Sequence, residues 1–269
     1  MIVQVDKQGQ NHPLGAKMQV VWHGTATVEV RCPSGRLLFD PFVPLKGSSS
    51  GVRLEDYDGF PDIFVTHGHF DHIASIPAIT RRNRHVRVHC TRTPYETLRK
   101  KGVPAEDLAL VCPGQAWEGS GFAVRAFPGR HAVLPRASFS RIASWLRSPF
   151  RGNLPHIALQ HWLCRENGET VFYHVEAEGK SLSLMGSLNL RDDVDYPRHA
   201  DLLVLPYNGW QDVFPPAVRA IERLEPRRVL LDHYDDAFPP VTGPIDLAPL
   251  LDMYGGMAAP MVPGKAVDV

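Results

Sequence analysis

The sequence of 269 residues predicts an α/β protein with stacked sheets. Short apolar runs rich in β-branched residues recur between turn residues along the chain, a pattern typical of buried strands. Segments with helical character separate several of these runs, which favours an α/β arrangement over a helical bundle. The length fits one large domain and no linker-like stretch divides it, so we expect a single domain over residues 1–269.

The individual elements follow from these runs in chain order. In the first half, apolar runs predict strands at 18–22, 27–30, 36–39, 62–66, 86–90 and 121–127. In the second half, they predict strands at 157–163, 171–176, 181–185, 201–205 and 228–232. Helices are predicted at 94–101, 104–109, 215–224 and 246–254, the third of which opens on a proline pair, as a helix start allows. Residues 132–155 are the least regular stretch, and we interpret them as an insertion.

Composition and charge exclude several classes of protein. The chain has 29 basic and 29 acidic residues, so it lacks the basic balance of a nucleic-acid-binding protein, and we expect no nucleic-acid partner. Its four cysteines are too sparse for a disulfide scaffold and fit small buried residues in a reducing compartment. The N-terminal residues lack the apolar core of a signal peptide, and no apolar run is long enough to span a membrane. We therefore expect a cytoplasmic protein.

The densest chemical signal is the segment Thr-His-Gly-His-Phe-Asp-His at 66–72. It leaves the end of a predicted buried strand, which is where α/β folds place functional sites. Three imidazoles and one carboxylate within six residues are ligands suited to zinc, manganese or iron. A polar surface loop is the alternative, but this density of ligands directly after a buried strand favours a metal site.

The pattern HxHxDH after a strand resembles the signature of the metallo-β-lactamase superfamily. The segments 22–30 and 37–41 also resemble the opening strands of its lactonase-like branch, which includes ascorbate-6-phosphate lactonase and phospholipases of the N-acylphosphatidylethanolamine type. The resemblance covers nearly the whole chain and is weakest at 132–155. It implies a four-layer αββα sandwich, the metallo-β-lactamase fold, with metal ions at one edge of the sheets.

The resemblance carries over to two later histidines. The superfamily has a ligand histidine after a mid-chain strand, which matches His131, and another at the end of a late strand, which matches His233. It thus implies two ligand groups, namely His67, His69 and His131 for a first metal, and Asp71, His72 and His233 for a second.

One position departs from the superfamily pattern. An aspartate that bridges both metals is expected in a Gly-Asp pair after a strand, and the matching pair here is Gly186-Ser187. Because a hydroxyl does not supply the charge of a carboxylate, we expect Ser187 to leave the second ion more weakly bound, or the site to work with one ion. Asp192 or Asp193 folding back as a substitute is the alternative. The expected cofactor is one or two divalent ions, with zinc ahead of manganese or iron.

Four further residues are expected near the site. Asp40 either orients a ligand histidine or forms a turn before the following proline. His23 either contacts substrate or a ligand's partner, or is a structural histidine. Tyr207 and Asn208 match pocket positions of the superfamily, and the alternative is a turn closed by the next glycine.

The stretch 119–165 contains no acidic residue but seven arginines, interleaved with aromatic and aliphatic residues. The rest of the chain then holds 22 basic residues against 29 acidic ones. A basic, apolar insertion beside His131 can attract an anionic substrate or contact a membrane surface peripherally. The alternative is a solvated segment whose apolar residues pack on the body. We expect the packing role for its helix and the steering role for Arg130 and Arg136.

These observations predict a metal-dependent hydrolase. A divalent metal lowers the pKa of a bound water from about 15.7 to about 7, and a metal-activated hydroxide would attack an ester, lactone or phosphodiester bond of a small, anionic substrate. Asp71 would hold a metal and orient the hydroxide. The alternatives are a mononuclear metal oxidoreductase on the same fold, favoured by loss of the bridge, and a non-catalytic metal-binding or sensing protein with an altered second site.

Overall fold

A computed structural model describes residues 3–5, 11–13, 17–132, 137–208, 212–243 and 245–269. Its strands are β1 Val3–Val5, β2 Asn11–Pro13, β3 Gln19–Gly24, β4 Thr27–Cys32, β5 Gly35–Phe39, β6 Asp62–Phe64, β7 Arg87–Cys90, β8 Leu108–Leu110, β9 Ala116–Gly119, β10 Phe122–Pro128, β11 Val171–Ala177, β12 Lys180–Met185, β13 Leu202–Pro206, β14 Val229–Asp232, β15 Ala258–Pro260 and β16 Ala266–Asp268. Its α-helices are α1 Phe70–Ile73, α2 Ile76–Arg82, α3 Arg92–Lys100, α4 Phe139–Arg147, α5 Leu154–Leu163, α6 Phe214–Leu224 and α7 Ala248–Tyr254.

Two seven-stranded sheets are built on the same plan. The first sheet has the order β16-β3-β4-β5-β6-β7-β8, and the second has the order β15-β14-β13-β12-β11-β10-β9. In the first sheet, β16 to β5 pair antiparallel and β5 to β8 pair parallel. In the second, β9 to β12 pair antiparallel and β12 to β15 pair parallel. The parallel half of each sheet ends at the edge that carries the functional residues.

Three apolar layers hold the sheets and helices together. The central layer lies between the sheets, where the rings of Phe39 and Tyr173 meet with centroids 5.6 Å apart. One outer layer joins the first sheet to its helices through side chains such as Ile79 of α2. The other joins the second sheet to α6 and α7 through Ile221 and Leu250. Each such buried side chain contributes about 2 kcal/mol. The order helix, sheet, sheet, helix confirms the predicted αββα fold class.

Two of the predicted elements are wrong. Residues 157–163, predicted as a strand, form most of helix α5, which has a proline in its first turn. A short apolar run fits either state, and only Ile157 of α5 is buried, so burial along the run does not select a strand. The predicted helix 104–109 is a 3-10 turn at Ala105–Asp107 followed by β8.

Residues 132–155, the least regular stretch of the sequence, contain regular elements. Beyond residues 133–136, which lie outside the described residues and include Arg136, the stretch contains α4, a 3-10 turn at Arg151–Asn153 and the start of α5. Across the described ranges, none of the helices has the length and apolar character needed to cross a membrane.

Candidate metal centre

The ends of six strands meet at one edge of the two sheets. β5 and β6 are parallel neighbours in the first sheet, and β12, β13 and β14 are parallel neighbours in the second. Because the carboxyl ends of parallel strands lie at the same edge, the loops that follow them lie together. β10 pairs antiparallel with β11, which pairs antiparallel with β12, so β10 ends at this edge as well.

The first candidate ligand group joins the two sheets. His67 and His69 lie in the loop between β6 and α1, and His131 follows β10. The ring centroid of His131 lies 4.8 Å from that of His67 and 4.5 Å from that of His69. One nitrogen atom of each ring lies within 4.8 Å of the others, so three imidazoles face a common point.

The second candidate group lies directly beside the first. Asp71 and His72 belong to the one-turn helix α1, and His233 follows β14. The Asp71 Oδ2 atom lies 3.3 Å from His233 Nε2 and 3.7 Å from His72 Nε2. The rings of His67 and His72 are 3.9 Å apart. The two groups therefore form one continuous cluster of residues that could hold a metal ion.

The donor set fits a divalent metal ion. The His67 Nε2 and His69 Nδ1 atoms lie 3.2 Å apart, and two nitrogen ligands of a tetrahedral zinc ion lie about 3.3 Å apart. Burial lowers the pKa of His67 well below its usual value, lowers the pKa of His69 to about 3, and lowers the pKa of His131. These imidazoles are consequently neutral near pH 7, the state in which imidazole binds a metal.

A buried hydrogen-bond network sets the orientation of two candidate ligand rings. The Thr66 hydroxyl donates to Asp40 Oδ2 at 2.6 Å, and its oxygen lies 3.0 Å from His67 Nδ1, from which it accepts. His72 Nδ1 lies 2.9 Å from Asp40 Oδ2 and 3.3 Å from the Thr66 hydroxyl oxygen. In both histidines the Nε2 atom lies on the side of the cluster, with His67 Nε2 3.2 Å from His69 Nδ1 and His72 Nε2 3.7 Å from Asp71 Oδ2. Asp40 is fully buried and also accepts the Thr66 backbone N–H at 2.8 Å.

A hydrogen bond also orients the ring of His131, and Ser187 holds the residue that follows it. The Nδ1–H group of His131 donates to the carbonyl of Ala132 at 2.6 Å, which leaves Nε2 free. The backbone N–H of Ala132 in turn donates to the Ser187 hydroxyl at 2.9 Å. Ser187 is buried, and it anchors the chain beside a candidate ligand.

Opposite charges stabilise the second group. Burial alone raises the pKa of Asp71, but His72 and His233 beside it outweigh burial and hold that pKa well below its usual value. Burial alone lowers the pKa of His233, but its hydrogen bond and charge interaction with Asp71 raise that pKa to about 9. An ionised carboxylate thus lies within the cluster at neutral pH and provides one anionic ligand for a cation.

The backbone at this edge is locally strained. Asp40 and His233 both adopt left-handed conformations, with φ of 46° and 59°. Such a conformation costs a non-glycine residue about 1–2 kcal/mol and is concentrated at functional sites. The surrounding hydrogen bonds maintain both residues in these conformations, and His233 N–H donates to the carbonyl of Thr25 at 2.9 Å.

Comparison with known proteins agrees with this geometry. Residues 35–234 match the protein family described as the beta-lactamase superfamily domain. The chain belongs to the beta-lactamase superfamily. The chain is also similar to a UPF0173 metal-dependent hydrolase of Polaromonas sp., with 26% identity over 266 residues that cover 95% of this chain and 91% of the relative.

Solved structures with low sequence identity to this chain share its architecture. Igni18, a metallo hydrolase from Ignicoccus hospitalis, aligns with a TM-score of 0.62 and 18% identity, covering 94% of this chain and 98% of Igni18. CmlA, a diiron β-hydroxylase from Streptomyces venezuelae, aligns with a TM-score of 0.57 and 14% identity, covering 96% of this chain and 55% of CmlA. The family and its curated relatives identify the chain as a metal-dependent hydrolase by class, and the solved structures support the fold.

The remaining predicted residues lie in varied surroundings within this superfamily fold. His23 Nε2 pairs with Glu29 Oε2 at 3.1 Å, and its ring meets Tyr57 edge-on. Arg130 is exposed directly before His131. Tyr207 is buried in the outer core of the second sheet, and its neighbour Asn208 is partly buried.

The alternative bridge from Asp192 or Asp193 is wrong. Asp192 is almost fully exposed, and Asp193 is two-thirds exposed and pairs with Arg191 at 2.7 Å. Ser187 offers a hydroxyl group, which accepts a hydrogen bond from the Ala132 N–H. This segment therefore provides no carboxylate that the two ligand groups share.

Two residues at the centre were missed by sequence reasoning. Thr66 sets the orientation of both His67 and Asp40, and its place directly before the first ligand is the signal that could have identified it. The ring of His161, on α5, lies 5.7 Å from that of His69. His161 reaches this position because residues 157–163 form a helix and not the predicted strand.

Two glycines allow these segments to approach each other. A Cβ atom at Gly186 would lie 2.1 Å from the Cβ atom of Thr66, so only glycine lets the second sheet contact Thr66 this closely. A Cβ atom at Gly68 would lie 2.1 Å from the carbonyl oxygen of Arg165, where the chain leaves α5. Both glycines therefore hold the ligand loop against its neighbours.

Proposed function

We propose that the protein hydrolyses an ester, lactone or phosphodiester bond of a small anionic substrate at this centre. The observation that carries the proposal is the pair of adjoining ligand groups, in each of which the three candidate ligand atoms lie within 4.8 Å of one another. This donor set is suited to zinc, with manganese or iron as the alternatives. A lactonase-like activity is part of the proposal and is supported by the sequence resemblance.

The residues of the chain have separate tasks in this mechanism. Asp40 and Thr66 hold His67 and His72 with Nε2 toward the centre. Asp71 remains ionised because its two histidine neighbours lower its pKa, so it can bind a cation and accept a hydrogen bond from the attacking water. A divalent ion held by these side chains supplies Lewis-acid polarisation of the substrate and makes water a nucleophile near neutral pH.

The charge around the centre supports an anionic substrate. Arg130 is exposed and directly precedes His131, and it belongs to the acid-free stretch 119–165. An exposed cation beside a catalytic site raises the local concentration of anions and increases their rate of association.

The two ligand groups differ in charge. The first consists of three neutral imidazoles, whereas the second contains the Asp71 carboxylate. With Ser187 in place of a bridging aspartate, no shared carboxylate draws two cations together. We propose that the ions bind with unequal affinity, so that activity with one ion remains possible for this chain.

A cytoplasmic location completes the proposal. The four cysteines are free thiols, three of them buried, as is typical of a reducing compartment. The alternatives of a mononuclear oxidoreductase and of a non-catalytic sensor are separated from a hydrolase by the experiment that follows.

The test is hydrolysis by the zinc-loaded protein of p-nitrophenyl butyrate, γ-butyrolactone and bis(p-nitrophenyl) phosphate. We expect turnover of at least one probe, and we expect His67→Ala to lower it at least about a hundredfold, because loss of a ligand's hydrogen-bond partner alone costs up to that much. His156→Ala, an exposed histidine of α5, is the matched control and should retain activity. A His67→Ala protein with full activity on every probe that the wild type hydrolyses would contradict the mechanism.

A further inference from the structure

Two short helices beside the metal centre expose apolar side chains to solvent. Of the ten large apolar residues that are exposed within the described ranges, seven lie on or between α4 and α5. These residues, which we call the α4–α5 surface, are Phe139, Ile142, Leu146, Phe150, Leu159, Trp162 and Leu163. Soluble proteins rarely leave large apolar patches exposed unless they mark an interaction site.

On α4 the apolar residues share one face of the helix. Phe139, Ile142 and Leu146 are three and four positions apart, the spacing that aligns side chains in one stripe. They are 87%, 41% and 59% exposed. In a helix that packs on a core this stripe faces inward, whereas here it faces solvent.

Helix α5 presents a second apolar face to solvent. Leu159, Trp162 and Leu163 lie on one side of the helix and are 52%, 66% and 42% exposed. Ile157 and Cys164, on the other side, are buried and anchor the helix to the body. The expectation that the apolar residues of this insertion pack on the body is therefore wrong for most of them.

The charges carried by this region select the kind of partner. Four arginines lie between residues 139 and 165, namely Arg141, Arg147, Arg151 and Arg165, and the wider stretch 119–165 has no acidic residue. Two copies meeting symmetrically through this surface would place arginines against arginines, which disfavours a dimer. Anionic lipid headgroups supply the complementary charge, and the interface beneath them accommodates aromatic and aliphatic side chains.

We propose that the α4–α5 surface docks the protein on an anionic lipid membrane. Phe139 and Trp162, its most exposed aromatic residues, enter the interface between headgroups and acyl chains, while the arginines contact lipid phosphates. Both helices are too short to cross a bilayer, so they lie in the plane of the membrane surface. This binding is separate from the chemistry proposed for the metal centre.

The position of α5 relates the membrane to the metal centre. His161 of α5 lies beside His69, and the carbonyl of Arg165 contacts the position of Gly68. Docking through α4 and α5 consequently places the ligand loop close to the lipid–water interface.

The test is co-sedimentation of the full-length protein with vesicles of phosphatidylcholine containing phosphatidylserine. We expect binding that weakens at high salt and is much weaker with vesicles of phosphatidylcholine alone, because each arginine contributes about fivefold. Leu146→Glu and Trp162→Glu should each weaken binding about tenfold. Met253→Glu is the matched control, since Met253 is 58% exposed outside the surface, and it should bind as the wild type does.

Several outcomes would overturn the proposal. Wild-type protein that does not sediment with anionic vesicles contradicts it directly, as does a loss of binding in Met253→Glu equal to that in Trp162→Glu. A wild-type dimer in analytical ultracentrifugation that Leu146→Glu converts to monomer would assign the surface to a second copy instead. None of these measurements depends on turnover, so they test membrane binding even if the activity assay fails.

Discussion

Asp40 connects three groups at the metal centre and lies outside both ligand groups. It accepts hydrogen bonds from the Thr66 backbone N–H and the Thr66 hydroxyl, its Oδ2 atom lies 2.9 Å from His72 Nδ1, and it is fully buried. An asparagine in its place would turn an amide N–H₂ group toward one of these donors and leave buried groups unpaired. The effect should appear both in stability and in metal affinity.

Asp40→Asn should lower the free energy of unfolding by about 3 kcal/mol and weaken zinc binding about 10–100-fold. Urea denaturation and isothermal titration calorimetry measure the two effects. Asp62→Asn is the control, because Asp62 accepts from His89 Nε2 at 2.7 Å in a comparable pair at the opposite end of β6. It should lose stability but retain zinc affinity, and an Asp40→Asn protein with wild-type zinc affinity would refute the role given to Asp40.

All six side chains that converge were named in advance, four because HxHxDH lies on one short loop, and His131 and His233 because the resemblance to the superfamily implied them. The network behind them was harder to predict. From the sequence, Asp40 either orients a ligand histidine or forms a turn. Its contact with Thr66 could not be predicted, because it depends on the pairing of β5 with β6. His161 reaches the centre only because its segment is helical, which the apolar run did not reveal.

At the scale of elements, the close contact between the end of β12 and the ligand loop depends on Gly186. The loop after β6 lies so close to this glycine that a Cβ atom added to it would overlap Thr66. The order of the strands and their parallel pairing could not be predicted from the sequence, because pairing between distant segments leaves no local pattern. The positions of most strands were predicted, because their apolar runs are bounded by turn residues.

Gly186→Ala should destabilise the protein by about 3 kcal/mol, the upper range for inserting a methylene group into a packed site. Gly256→Ala is the matched control, because a Cβ atom there meets nothing within 4 Å. The midpoints of urea denaturation compare the two variants. Equal midpoints would show that the contact between Gly186 and Thr66 relaxes at little cost.

At the scale of the whole molecule, each ligand group connects the two sheets. The first sheet provides the loop after β6 with helix α1, and the second provides His131 after β10 and His233 after β14. A metal ion bound by either group would therefore tie the sheets together at this edge. The resemblance to the superfamily predicted the four-layer class, and the same two-sheet plan explains why ligands far apart in the chain meet.

Removal of metal should lower the thermal stability of the protein. Binding to the folded state alone adds about 4 kcal/mol when free metal exceeds its dissociation constant about a thousandfold. Differential scanning calorimetry of zinc-loaded and chelator-treated protein should show a higher melting temperature for the loaded form. In His67→Ala the difference should shrink, and identical melting temperatures for loaded and stripped wild-type protein would contradict the idea that metal links the sheets.

Metal analysis of the purified protein by mass spectrometry shows directly whether the two ligand groups bind divalent metal. We expect at least one equivalent of zinc, manganese or iron per chain in the wild type and in His156→Ala, and substantially less in His67→Ala. Wild-type protein that contains no divalent metal and takes up none on addition of zinc would contradict this expectation.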